Sequence, residues 1–189
     1  MVAQIARRRF SIDEYHQMVA TGIISSIDRV ELINGEVIEM SPIGRKHAAT
    51  VARLDKLWQQ RLGNRVLIWV QNPVYLSNTS EPQPDLALLK PRDDFYISAL
   101  PTPQDILLVV EVADSTISYD LEVKMALYSA AGITEAWLFD LNKQSIEAYT
   151  KPGKIGYKQI RRFEQGDIFA ILAFPDFSFS WTDVFGLEA

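Results

Sequence analysis

Glu111 is the residue most out of keeping with its neighbours. It lies in Ile106-Leu107-Leu108-Val109-Val110-Glu111-Val112, the most strand-like apolar stretch of the chain. A charge in such a run is costly to bury unless it is paired or binds a metal. Alternation along a strand sends Val110 and Val112 to one face and Glu111 to the other. A second acid, Asp85, follows Pro84 at the head of the short apolar run Leu86–Leu89. If the two runs lie side by side, Asp85 and Glu111 converge on one cation. Mg2+ is typically held by one or two carboxylates plus waters and substrate phosphate oxygens. Such an ion stabilises charge on a phosphoryl group and can supply hydroxide at neutral pH. Lys124 follows in a predicted helix, with Asp120 and Tyr128 four residues to either side and so on one face. A lysine over the carboxylates can orient a water nucleophile or neutralise developing negative charge. Simpler readings stand beside these. Asp85 can cap a turn, Glu111 can pair with a buried arginine, and Lys124 with Asp120 can form an exposed helix pair.

The elements that must position these residues are legible in part. Ser11 is a predicted N-cap, with Asp13 and Glu14 in the first turn of a helix that Gly22 ends. Asn34-Gly35 between Val30–Ile33 and Val37–Met40 predicts a hairpin. Glu31 alternates outward on its first strand. Arg45–Leu62 carries apolar residues at helical spacing and ends before Gly63. His47 falls at its start, where it can bind phosphate, support the site or simply meet solvent. Val66–Val70, Val74–Leu76 and Leu86–Leu89 read as short strands, and Ile106–Val112 as a central strand buried on both faces. Tyr119–Ala131 reads as a helix closed by Gly132. Strands are then predicted at Glu135–Leu141, Ile146–Thr150, Tyr157–Arg162 and Ile168–Leu172, followed by an aromatic tail packed on the body. The result is an α/β fold: a mixed sheet flanked by helices, with an N-terminal helix and hairpin and a C-terminal β-meander.

Composition bounds the chemistry. The chain has 189 residues, 48% of them hydrophobic, enough for one domain over residues 1–189 with residues 1–9 flexible. It has no cysteine and only His16 and His47, which excludes disulfides, thiolate ligands and cysteine nucleophiles. Twenty-four acids against 19 lysines and arginines give a net charge of −5, so this is not a protein that coats nucleic acid by charge alone. The basic stretch Lys151, Lys154, Lys158, Arg161 and Arg162 reads first as a solvated face and second as a duplex contact. No run approaches the ~20 apolar residues of a spanning helix, and no apolar h-region follows Arg7-Arg8-Arg9, so a secretory signal is not expected. The cytoplasm is the expected location, with no membrane partner.

Pro84-Asp85 followed by Glu111-Val112-Ala113 resembles the PD-(D/E)XK nuclease superfamily. The wider ordered set is more specific. It runs Glu31-Leu32-Ile33-Asn34-Gly35-Glu36, Ser41-Pro42, His47, Pro84-Asp85, Glu111-Val112, Ser115, Asp120, Lys124, Tyr128, Gly132 and Glu135-Ala136-Trp137-Leu138-Phe139-Asp140. This set resembles an uncharacterised bacterial family grouped with restriction endonucleases, over nearly the whole chain. The resemblance implies a restriction endonuclease-like core and Mg2+- or Mn2+-dependent hydrolysis of DNA. Asp85, Glu111 and Glu31 would be metal ligands, Lys124 the catalytic lysine, and His47, Asp120 and Tyr128 supporting residues. One departure stands out: the superfamily lysine would fall at position 113, which is Ala113 here. The resemblance therefore also admits a catalytically inactive nuclease-fold module that binds or assembles with a partner. Cutting both strands of a duplex commonly uses two sites related by a two-fold axis, so a homodimer is expected.

Overall fold

The computed structural model describes residues 7–25, 27–114 and 117–186. Helix α1 (Ile12–Ala20) starts at a capping box in which Ser11 and Glu14 satisfy each other's backbone N–H. Strands β1 (Val30–Ile33) and β2 (Glu36–Glu39) form the expected hairpin. Its turn residues Asn34 and Gly35 have φ of 51° and 79°, the positive values a tight two-residue turn requires. At Gly35 a side chain is excluded twice over, since a Cβ would come within 2.6 Å of Arg9 Cβ. Arg7 and Arg9 reach towards Glu36, and Arg8 bonds Glu14. Helix α2 (Arg45–Leu62) occupies the predicted span.

Among the described residues the main sheet has six strands in the order β3-β4-β5-β6-β7-β8: Leu67–Val70, Leu86–Leu89, Ile106–Ala113, Glu135–Asp140, Ser145–Thr150 and Gln159–Phe163. Only β5 and β6 run parallel; the remaining neighbours are antiparallel, and β6-β7-β8 is the expected meander. Between β5 and β6 the chain crosses over through α3 (Ile117–Tyr119), a π-helical turn (Asp120–Lys124) and α4 (Met125–Ala130). The helix thus begins before the predicted Tyr119, and it contains a π turn that the residue spacing does not signal. Val74–Leu76 is not a strand. Val74, Tyr75 and Leu76 donate instead to Pro82, Pro101 and Ser80, three loop partners that form no ladder. The aromatic tail adds β10 (Ser178–Ser180), paired with β9 (Ile168–Ala170), and α5 (Trp181–Phe185). No helix among the described residues is long and apolar enough to cross a membrane.

Two cores sandwich the sheet. On one face Leu108, Val110 and Val112 of β5 pack with Val51, Leu54 and Trp58 of α2, and with Phe169, Phe174 and Phe179 of the tail. On the other, Val109 and Ala113 pack with Met125 and Tyr128 of α4. Glu111 belongs to this second face. The near-continuous apolar run of β5 follows from its being covered on both sides.

Glu135 opens β6 and is nearly fully buried. It accepts from Trp137 Nε1 at 2.8 Å and from Leu172 N at 2.7 Å, which ties the tail to the sheet. Burial outweighs those two bonds and pushes its carboxyl up to about 6, from an ordinary 4.5. The folded chain therefore holds this proton more tightly than the unfolded one. The resulting stabilisation, roughly 2 kcal/mol, is complete below the unfolded value and is lost as pH rises through the folded one. Glu135→Gln stays neutral throughout. It is expected to gain about 2 kcal/mol on the wild type between acidic and mildly alkaline pH, read from urea midpoints. A constant difference between the two proteins across that range would contradict the assignment.

Candidate functional site

The site forms where β4 begins and β5 ends. Asp85 directly precedes β4, and its Oδ2 accepts the Val112 N–H at 2.8 Å. The carboxylate thereby extends the β4–β5 ladder by one bond and comes to rest beside Glu111. Its Oδ1 lies 2.9 Å from His47 Nε2 and 3.4 Å from Gln71 Nε2. His47 reaches it from the first turn of α2, while His47 Nδ1 is buried with no hydrogen-bond partner. His16 does not line the cavity and bonds Glu81 instead.

Glu111, Glu31 and Lys124 are 2%, 1% and 6% exposed, which removes the reading of Lys124 as a solvated helix residue and of Glu31 as an outward-facing one. Lys124 Nζ sits 3.3 Å from Glu31 Oε2 and 3.3 Å from Glu111 Oε1. The buried partner of Glu111 is therefore this lysine and not an arginine. Glu31 Oε2 also accepts from Gln83 N at 3.0 Å, and Tyr119 Oη donates to Glu31 Oε1 at 3.4 Å. Tyr128 Oη donates to Glu111 Oε1. Asp120 is buried and, with Glu31, Asp85, Glu111 and Lys124, lines a cavity of about 260 Å³.

Each protonation preference has an identifiable cause. Burial lifts the Glu111 carboxyl well above the usual range against the opposing pull of Lys124, and Asp85 and Asp120 add to the rise. Burial also works against the charge on Lys124, but Glu111, Glu31, Asp120 and Asp85 together hold its ammonium above the ordinary lysine value. Lys124 is thus a fixed cation rather than a proton acceptor. Burial, and then Glu111, raise the Tyr128 phenol well above its normal value, so Tyr128 stays a donor.

The spacing of Asp120, Lys124 and Tyr128 survives in an altered form. The Met125 N–H bonds back five residues to Asp120, so the turn between them is wider than an α turn. Wide π turns of this kind are frequent at functional sites. The turn keeps Lys124 and Tyr128 aimed at one strand while bringing Tyr119 in over Glu31. Ser115 of the family pattern lies outside the described residues. Three participants escaped sequence reading: Gln83, Gln71 and Tyr119. Gln83 had a faint signal, because it stands between Pro82 and Pro84, where the backbone is stiffened into an extended form.

The donor chemistry suits a hard divalent ion. Asp85 and Glu111 supply carboxylate oxygens, the ligands Mg2+ and Mn2+ prefer. No group of three or more His, Asp or Glu among the described residues is arranged to hold a metal. Lys124 stands between Glu31 and Glu111 and divides the acids. The set fits an ion held by two carboxylates and completed by water and substrate oxygens. It does not fit a cage built by protein alone.

The basic stretch near the C-terminus does not border this cavity. Lys151, Lys154 and Lys158 lie in the β7–β8 connection, at the end of the sheet where β6 starts. Arg161 and Arg162 are on the edge strand β8, and Arg162 is paired to Glu147. A duplex contact from this run would miss the carboxylates.

The six-stranded mixed sheet between helices is the restriction endonuclease-like architecture. The chain belongs to the Uma2 family, described as "Putative restriction endonuclease", whose model matches residues 12–182. It is also similar to a crystal structure described as "a putative nuclease belonging to DUF820", from Anabaena variabilis ATCC 29413. That likeness has a TM-score of 0.70 at 14% identity, covering 93% of this chain and 97% of that one. At such identity the likeness speaks for the fold alone. No curated protein matches the chain.

Proposed function

We propose that the chain is a single-domain, divalent-metal-dependent DNA endonuclease of the cytoplasm that hydrolyses phosphodiester bonds. The observation that carries this reading is the convergence of Asp85, Glu111 and a buried ammonium on one cavity. Asp85 and Glu111 would hold Mg2+ or Mn2+, with Glu31 as the third acid of the set. A bound ion would supply charge neutralisation at the phosphate and an acidified water. The chain's own groups do the rest. Lys124, held protonated, donates to a phosphate oxygen and offsets the charge that grows there. Glu31 and Gln83 O, the latter 3.5 Å from Nζ, steer that ammonium. His47 and the Val112 N–H fix the Asp85 carboxylate, and Tyr128 fixes Glu111. Two copies acting on opposite strands would account for duplex cleavage.

A second reading, a nuclease fold without catalysis that serves as a binding module, draws support from Ala113 and from the way Lys124 separates Glu31 from Glu111. One pair of measurements decides between them. Purified protein is expected to nick plasmid DNA in Mg2+ or Mn2+ and to stop in excess chelator, with calorimetric heat on titrating either ion. Neither cleavage nor heat would leave the inactive module as the better reading.

A further inference from the structure

The outer face of α2 differs from the rest of this acidic chain. Val51, Leu54, Trp58 and Leu62 turn inward, and helical periodicity puts Arg45, Lys46, Ala49, Ala52, Lys56 and Gln60 on the opposite, exposed side. No Asp or Glu shares that stripe. Asp55, the acid of this helix, lies towards its buried edge and accepts from Gln59 Nε2 at 2.8 Å. Arg45, Lys46 and Lys56 have no partner among the described residues. Arg53, on the same side, instead donates to Val184 O and braces α5. The stripe starts at the site, since Gly44 and His47, which flank Arg45 and Lys46, both line the cavity of Asp85 and Glu111.

We infer that this face of α2 carries duplex DNA and guides one strand into the cavity. Unpaired cations on a helix stripe that carries no Asp or Glu of its own are what phosphates bind, with release of their counterions. Ala49 and Ala52 keep the middle of the stripe low, so a rigid backbone can approach Arg45 and Lys56 together. The span between those two residues is about 16 Å at the helical rise, close to half a turn of duplex. The stripe carries no exposed aromatic ring on which unstacked bases could lie, which favours duplex over single strand. The net charge of −5 then coexists with DNA binding, because a duplex laid along this face meets the local charge of Arg45, Lys46 and Lys56 rather than the chain's total. The role of the cavity rests on the nuclease reading; binding along α2 is tested apart from it.

The test is fluorescence anisotropy of a labelled 30-base-pair duplex against the full chain in Ca2+, over a series of KCl concentrations. Each lost phosphate contact should reduce the slope of log K against log salt by about 0.9. Arg45→Ser/Lys46→Ser/Lys56→Ser is therefore expected to lower the slope by about 2–3 and the affinity at 0.1 M salt by at least about tenfold. Its thermal melting should match the wild type, because these side chains are exposed. Lys151→Ser/Lys154→Ser/Lys158→Ser should leave slope and affinity unchanged. Wild-type slope and affinity in the α2 variant would overturn the inference, as would a wild type with no salt-dependent binding. A lower slope in the α2 variant, together with no cleavage by the wild type in any metal, would uphold the DNA face and remove the nuclease reading.

Discussion

Asp85→Asn is expected to reduce metal-dependent DNA cleavage by about 10³-fold or more while leaving the fold unchanged. The substitution is nearly isosteric. The side-chain oxygen of Asn can still accept the Val112 N–H that Asp85 accepts at 2.8 Å, so the start of β4 and the end of β5 keep their register. What is lost is a negative charge at the point where Asp85 and Glu111 face one cavity. Charge stabilisation by a bound ion is worth several kcal/mol, and each 1.36 kcal/mol is a factor of ten in rate. Single-turnover cleavage in Mg2+ and Mn2+ reads the effect, with calorimetry reporting whether metal binding falls in parallel. A variant that cleaves at the wild-type rate would place the chemistry elsewhere or reveal a contaminant. Glu111→Gln should behave alike in cleavage. It differs in that Glu111 also accepts from Tyr128 and pairs with Lys124, so some loss of stability is expected there.

Much of the frame for this site can be read from residue order. β5 announces itself because a strand covered on both faces needs apolar residues at successive positions, which leaves Glu111 conspicuous. The β1–β2 turn is explicit in Asn34-Gly35, and α2 in the period of Val51, Leu54, Trp58 and Leu62. Local signals fail where bonding partners are distant or singular. Val74–Leu76 has strand-like residues but finds only three separate loop acceptors, a matter decided by chain path rather than propensity. The π turn at Asp120–Lys124 has no period of its own, since one widened hydrogen-bond ring repeats nowhere else in the helix. The pairing of Lys124 with Glu31 joins β1 to the crossover helix across most of the sequence before it, and nothing near either residue records it. The exposed cations of α2 are scattered at Arg45, Lys46 and Lys56, and only the helical turn brings them onto one side. The run from Lys151 to Arg162 was conspicuous instead, and antiparallel topology carried it away from the carboxylates.

Lys124→Met is expected to destabilise the metal-free protein by about 3–5 kcal/mol, the usual consequence of removing one partner from a buried charge cluster. Methionine matches the length of the lysine stem, so packing is largely kept and the loss is electrostatic. Glu31 and Glu111 would be left facing each other with almost no access to water. Glu111 already leans towards its protonated form because it is buried, and taking a proton would relieve part of that repulsion. Glu31 would retain Gln83 N and the Tyr119 hydroxyl, which explains why the loss should not exceed this range. Urea denaturation in chelator at neutral pH measures the single variant and the double variant Lys124→Met/Glu31→Gln. The double variant should be more stable than the single one, because removing the second charge removes the repulsion the first change exposed. Equal stability of Lys124→Met and wild type would mean that the ammonium is not what holds the two acids together. If the loss is found and Mg2+ restores part of it, a divalent ion takes over the work of the ammonium. The lysine would then be balancing the same carboxylates that the ion needs.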